Sequence, residues 1–133
     1  MTLWSIVEKY VGTPYRHGGR GQDGIDCLGL LICVYRDFGI EIPDGDGRPY
    51  RTDWHTTEPD RYLEGLLSIG KEATEPLKTL DLVYFRFHGG VVSHAGVMVD
   101  PQRFIHVLER RSVMVSRLKG MWRRKLAGAR RLV

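Results

Sequence analysis

Gly24-Ile25-Asp26-Cys27-Leu28-Gly29-Leu30-Leu31-Ile32-Cys33-Val34-Tyr35 is the stretch on which the fold turns. From Cys27 onward the apolar residues recur at helical spacing: Leu28, Leu31, Ile32 and Tyr35 make one stripe, Leu30 and Val34 widen it, and Gly39 ends it. A helix apolar around so much of its circumference belongs in the middle of a core. Just before it, residues 16–24 hold four glycines in nine positions, which allows unusual backbone angles where the loop becomes helix.

Upstream, Thr2 is placed to cap a short helix with Leu3, Ile6, Val7 and Tyr10 inward and Gly12 as its stop. Downstream, a loop rich in Pro, Gly and Asp (43–53) leads to a third predicted helix from Thr57 to Ser68. That helix has Glu58, Pro59 and Asp60 in its first turn and Tyr62, Leu63, Leu66 and Leu67 inward. After Pro76 the period changes to two. Asp81–Phe87, Ser93–Val99, Arg103–Glu109 and Ser112–Leu118 read as successive antiparallel strands, with a fifth at Ala127–Leu132. Helices before strands predict an α+β fold in which N-terminal helices pack on a C-terminal antiparallel β-sheet. Each half alone is too small for a core of its own, so residues 1–133 are expected to form a single domain.

The chain has 133 residues, 42% hydrophobic and 27% charged, the composition of an ordinary globular protein. No apolar run approaches the roughly 18 residues of a membrane span, so membrane insertion is not expected. The N-terminus lacks the basic start and apolar stretch of a secretory signal peptide. Charge is uneven: residues 109–133 hold nine basic residues against Glu109 alone, a local +8 in a chain whose total is +4, which leaves −4 for residues 1–108. Two readings stay open here, a solvated face or a contact with an anionic envelope or nucleic acid.

The chemistry concentrates at Cys27. A thiol where a glycine-rich loop opens a helix faces unpaired amides and the positive end of the helix dipole, which predicts a depressed pKa and a ready oxyanion hole. Cys33, mid-helix and apolar on both sides, is expected to be inert. Six residues of helix separate the two sulfurs by about 9 Å of rise, beyond the roughly 7 Å that a disulfide tolerates.

A thiolate needs a base, and there are five histidines: His17, His55, His88, His94 and His106. A turn centred near Asp100 gives a pairing sum of 200 and sets His94 directly opposite His106, with β-carbons about 5 Å apart. A two-residue turn at Pro101-Gln102 gives 203, puts His106 opposite Val97 and points it away from His94. The catalytic reading therefore demands an odd turn, with both imidazoles on the face that packs against the Cys27 end of the central helix. A three-histidine zinc site including His88 lacks a carboxylate at a convincing spacing, and no metal is expected.

Several ordered motifs resemble those of the NlpC cysteine peptidases. They are Gly12-Thr13-Pro14-Tyr15, Gly18-Gly19, Gly24-Ile25-Asp26-Cys27-Leu28-Gly29-Leu30, Thr79-Leu80-Asp81-Leu82-Val83-Tyr84-Phe85, Ser93-His94-Ala95-Gly96-Val97, Phe104-Ile105-His106 and Ala127-Gly128-Ala129-Arg130-Arg131. The resemblance implies a circularly permuted papain-like domain that cleaves peptidoglycan stem peptides after D-γ-glutamate and needs no cofactor. It implies Cys27 as nucleophile, His94 as base, His106 as the residue that orients it, Tyr15 at the oxyanion and Asp26 near the substrate's free amine. Where the family commonly has Ser after the nucleophile and an aromatic two residues after the Tyr, this chain has Leu28 and His17. Asp-Cys-Leu-Gly-Leu, Pro43-Asp44 and the compact length resemble the branch associated with phage tails. That branch implies tail-tip partners and a place in the virion tail, or in the host cytoplasm before assembly. The alternatives are a tail-tip structural subunit with weak or no activity and, more distantly, an acyltransferase on the same fold.

Overall fold

The computed structural model describes residues 2–133. Helix α1 (Leu3–Tyr10) starts at Thr2, whose side chain accepts from the Ser5 amide, and turns Ile6, Val7 and Tyr10 inward. The glycine-rich segment closes into a small ribbon, β1 (Arg20–Gly21) on β2 (Gly24–Ile25), and delivers the chain into α2 (Cys27–Asp37). Only Gly18 of its glycines takes a left-handed angle; at Gly19 and Gly24 the chain passes too close to itself for a side chain. A Cβ on Gly29, in the first turn of α2, would stand 2.1 Å from the Gly19 carbonyl oxygen, so this glycine lets the loop lie against the helix start.

Of the third helix expected from Thr57 to Ser68 the structure forms α4 (Arg61–Leu67), and a separate four-residue helix, α3 (Trp54–Thr57), precedes it. Pro59 is the cause: the residue before a proline is driven out of the helical region, and Glu58 sits at φ −137°, ψ 66°.

A two-residue strand β3 (Lys71–Glu72) precedes β4 (Leu82–His88), β5 (Val91–Met98), β6 (Arg103–His106) and β7 (Met114–Arg117). A five-residue helix α5 (Met121–Lys125) then runs into β8 (Leu126–Arg131). The predicted strands lie where expected, within about two residues at most ends and three at the end of β6; β1, β2, β3 and α5 were too short to show a period. The pairings that join them are antiparallel, in the order β3-β8-β4-β5-β6-β7.

Side chains alternate across this sheet. On one face Leu82, Tyr84, Ala95, Val97, Ile105 and Val107 join α1 and α2 in the main core, and α2 packs on β5. On the other, Val83, Phe85, Met98, Phe104 and Ala129 form a second cluster covered by Trp122 of α5. At about 25 cal/mol per Å² of apolar surface, Leu30, Leu31 and Val34, all fully buried, contribute several kcal/mol in α2 alone.

Candidate active site

Cys27 opens α2, and Asp26 caps it. The Asp26 carboxylate is buried and accepts at both oxygens. Oδ1 takes the Gly29 amide and Arg20 Nη1, each at 2.8 Å; Oδ2 takes the Gly18 amide at 2.8 Å and the Tyr50 hydroxyl. Four donors fill a carboxylate. Asp26 thus fastens the loop, the ribbon and the helix start around Cys27, with no lone pair left for an incoming amine. Arg20 extends the clamp to Asp44 through paired contacts of 3.0 and 2.8 Å, holding the Asp44 carboxyl below its ordinary value. His17 Nε2 bonds the Tyr50 carbonyl at 2.7 Å. The 43–53 loop is thereby pinned beside the nucleophile position.

A groove of about 900 Å³ is lined by Tyr15, Asp26, Cys27, Tyr50, Tyr62 and His94, with Arg48, Arg61, Glu109 and Arg111 at its charged margins. Tyr15 is half-buried, and its hydroxyl is held above the usual phenol range by burial and by Cys27 and Asp26 nearby. Both cysteines are free; Cys33 is buried in the core, and its thiol donates to the Arg20 carbonyl at 3.3 Å.

His94 and His106 share a face, as the odd-turn argument demands: His94 Nε2 and His106 Nδ1 are 2.8 Å apart. They are not directly opposite. The register pairs Val97 with Ile105 and Met98 with Phe104, a sum of 202, so His106 stands across from Gly96 and meets His94 on the diagonal. The face also differs from expectation. Both rings lie among Phe85, Phe104 and Trp122, on the side away from the α2 core, while Cys27 packs against that core. Cys27 and His94 nevertheless both line the groove.

Beyond His106, Nε2 bonds Ser116 Oγ at 2.7 Å. If His94 Nε2–H donates to His106 Nδ1 and His106 Nε2–H donates to Ser116, every proton is placed and His94 Nδ1 remains the free basic nitrogen. Trp122 closes over the pair with ring centroids 5.3 Å from His94 and 4.9 Å from His106. His88 and His55 do not join; they stack on each other at 4.1 Å, with His88 Nδ1 2.7 Å from Ser93 Oγ. Among the described residues no group of three or more His, Cys, Asp or Glu is placed to hold a metal ion.

The electrostatics correct one expectation. Burial, reinforced by Asp26, pushes the Cys27 thiol up to about 12, outweighing Tyr62 and the Leu28 and Cys27 amides, which pull it down. Burial and the neighbouring imidazoles hold His94 well below its ordinary value, and burial takes His106 down to about 4. The Cys27 thiol and both imidazoles thus rest uncharged near neutral pH.

This has a measurable consequence. A histidine neutral in the fold but protonated when unfolded contributes stability in full above its unfolded pKa, near 6.5, and loses it as pH falls towards the folded value. Between about pH 6.5 and 4 His106 alone is expected to remove about 3 kcal/mol of stability. Chemical denaturation at pH 7.5 and 4.5 measures the drop, and His106→Asn should make it smaller. An unchanged pH dependence in that variant would refute the assignment.

Of the nine C-terminal cations, Arg131 is spent on the buried Asp81, at 2.8 and 2.7 Å, Arg123 on Glu75, and Arg130 on the carbonyls of Leu67, Ile69 and Gly70. No helix among the described residues is long and apolar enough to cross a membrane.

Fold and site together define an α+β domain that presents a helix-start thiol and a paired imidazole to one groove. Residues 12–131 match the NlpC/P60 family, and the chain belongs to it. A probable endopeptidase NlpC homolog of Haemophilus influenzae is 30% identical over 98% of this chain and 62% of its own length. The gamma-DL-glutamyl hydrolase of Bacillus subtilis is 33% identical over 94% of this chain and 27% of its own. The crystal structure of an NlpC/P60 family protein from Bacillus cereus superposes with a TM-score of 0.74 at 25% identity, covering 98% of this chain and 39% of that one. The chain thus spans less than two thirds of the length of each. Neither the structure nor these relatives support the tail-associated branch.

Proposed function

We propose that this chain, as one NlpC-type domain over residues 1–133, is a cysteine endopeptidase that hydrolyses peptidoglycan stem peptides, cutting after D-γ-glutamate. The observation that carries the reading is the linked contacts of His94 Nε2 with His106 Nδ1 and of His106 Nε2 with Ser116 Oγ; with the protons placed as above they leave His94 Nδ1 free, on a residue that lines the same groove as Cys27. Helices before the sheet fit the circularly permuted papain-like order, and the B. subtilis relative's name fits the γ-glutamyl bond.

In this reading substrate binding brings sulfur and imidazole together. The Cys27 proton passes to His94 Nδ1, and the sulfur attacks the amide carbonyl carbon. Charge moves to the carbonyl oxygen, which Tyr15 and the first amides of α2 can stabilise. His94 returns the proton to the leaving amine, and water, activated by the same nitrogen, frees the acyl group. Asp26 acts by holding the helix start, and the unpaired cations of residues 109–133 draw the domain to an anionic wall.

A wall-binding domain without turnover is the second reading, favoured by the thiol's displacement to about 12. Purified sacculi incubated with the protein, with and without prior iodoacetamide, separate the two. The endopeptidase is expected to release muropeptides ending at D-glutamate, seen by mass spectrometry, and alkylation at Cys27 to stop the release. Binding to sacculi with no new fragments would leave only the second reading.

A further inference from the structure

Among the described residues one buried side-chain polar atom has no hydrogen-bond partner in the protein, the hydroxyl of Tyr62. Native folds satisfy nearly all such groups, because an unpaired one weakens the fold. Tyr62 projects from α4, with its ring held edge-on by Trp54 at 5.5 Å and packed against the helical core. The hydroxyl is not stray: Tyr62 and Cys27 pack on the same core and line the same groove, and each influences the other's ionisation. A neutral thiol is a poor acceptor, whereas a thiolate is a strong one. The buried side-chain polar atom left unsatisfied among the described residues therefore belongs to a residue that shares its groove with the atom whose charge changes.

We propose that Tyr62 is a further catalytic residue, whose hydroxyl waits unpaired in the resting fold and donates a hydrogen bond to the Cys27 sulfur once the thiol proton has passed to His94. The inference rests on Cys27 being the nucleophile. The balance is simple: the S–H bond breaks, an N–H bond forms at His94 Nδ1, and Tyr62 keeps its own proton throughout. Burial and the adjacent Cys27 hold the phenol well above its ordinary value, which keeps it a donor. When the sulfur's electron pair becomes the C–S bond, the hydrogen bond weakens, and stabilisation passes to the donors at the carbonyl oxygen. Tyr62 and Tyr15 both line the groove, but they differ in their hydroxyls: that of Tyr62 is buried without a partner, and its part is with the sulfur, that of Tyr15 with the carbonyl oxygen.

Tyr62→Phe removes the hydroxyl and keeps the ring on Trp54. If the hydroxyl serves the thiolate, thermal stability should hold or rise. The rate of Cys27 alkylation by iodoacetamide, followed from pH 6 to 10 by mass spectrometry of the modified peptide, should fall roughly tenfold at a given pH. On a stem peptide kcat should fall at least about tenfold with KM little changed. An alkylation profile and kcat equal to the parent's would overturn the proposal. So would a lower melting temperature with an unchanged profile, because the hydroxyl would then be structural and held by solvent. Cys27→Ala keeps the two questions apart. Turnover that survives it defeats the nucleophile assignment itself; turnover lost there but intact in Tyr62→Phe defeats only the role of Tyr62.

Discussion

Replacing His94 by alanine is expected to lower kcat/KM on a stem peptide by about 10³-fold or more, whereas His106→Ala lowers it by about 10- to 100-fold. In the proposed mechanism the first change removes the group that takes the Cys27 proton and returns it to the leaving amine. The second leaves that group in place but strips the acceptor from its Nε2–H, 2.8 Å away in the parent, so the ring can turn and a buried donor is orphaned. The direction of the hydrogen bonds separates the polar substitutes. An asparagine amide can set its oxygen near the position of Nδ1 and still accept from His94, while glutamine reaches instead towards Ser116 Oγ, the partner of Nε2 at 2.7 Å. His106→Asn should therefore keep more activity than His106→Gln, and Ser116→Ala should cost only a few-fold. Because the residues act as a unit, the His94→Ala/His106→Ala double variant should be no worse than His94→Ala alone. Equal losses in the two single variants, with no rescue by asparagine, would show that His106 does more than orient the ring.

The shared face of His94 and His106 could be read from strand parity, since an odd turn keeps two residues on one side. Their register could not, and the difference lies in one side chain. The Asp100 carboxylate accepts the Gln102 and Arg103 amides at 2.8 Å each and Arg103 Nε at 2.7 Å. That turn centres the hairpin on Pro101, so the pairing moves on by one residue in each strand. Cys27 was legible because its signals are local: a glycine-rich approach, a capping aspartate and an apolar helix. Trp122, Ser116, Tyr62 and the Arg20–Tyr50 clamp on Asp26 carried no such signal. Apart from Arg20, which is 6 residues from Asp26, each meets the site across 10 to 35 residues of chain, and Trp122 sits on a helix too short to show a period. The depressed Cys27 pKa failed for a related reason. Helix-start amides do act in the predicted direction, but the burial that opposes them is a property of the folded groove.

Gly96 ties register to chemistry, and substituting it is expected to damage both. With Val97 paired to Ile105, Gly96 faces His106 across the strands. A Cβ there would stand 2.6 Å from the Ile105 carbonyl oxygen, 2.8 Å from Phe104 Cδ2 and 3.1 Å from His106 Cβ. The first of these is backbone in the middle of the sheet and cannot swing aside as a surface side chain would. Gly96→Ala is thus an overpacking change, expected to cost about 1–3 kcal/mol, and Gly96→Val should cost more. The loss of turnover should exceed what unfolding explains. β6 can relieve the clash only by moving His106 and with it His94, and a displacement of about 1 Å at a catalytic group costs on the order of 10²-fold. Gly90, in the turn between β4 and β5, has nothing within 4 Å of the corresponding position, so Gly90→Ala should be near neutral in both respects. Melting temperatures of the three variants, with kcat/KM measured well below the lowest of them, provide the comparison. A Gly96→Ala protein with parental stability and parental turnover would mean that the diagonal contact between the imidazoles tolerates a side chain beside it, and the linked contacts through His106 to Ser116 would lose their claim to set the orientation of His94.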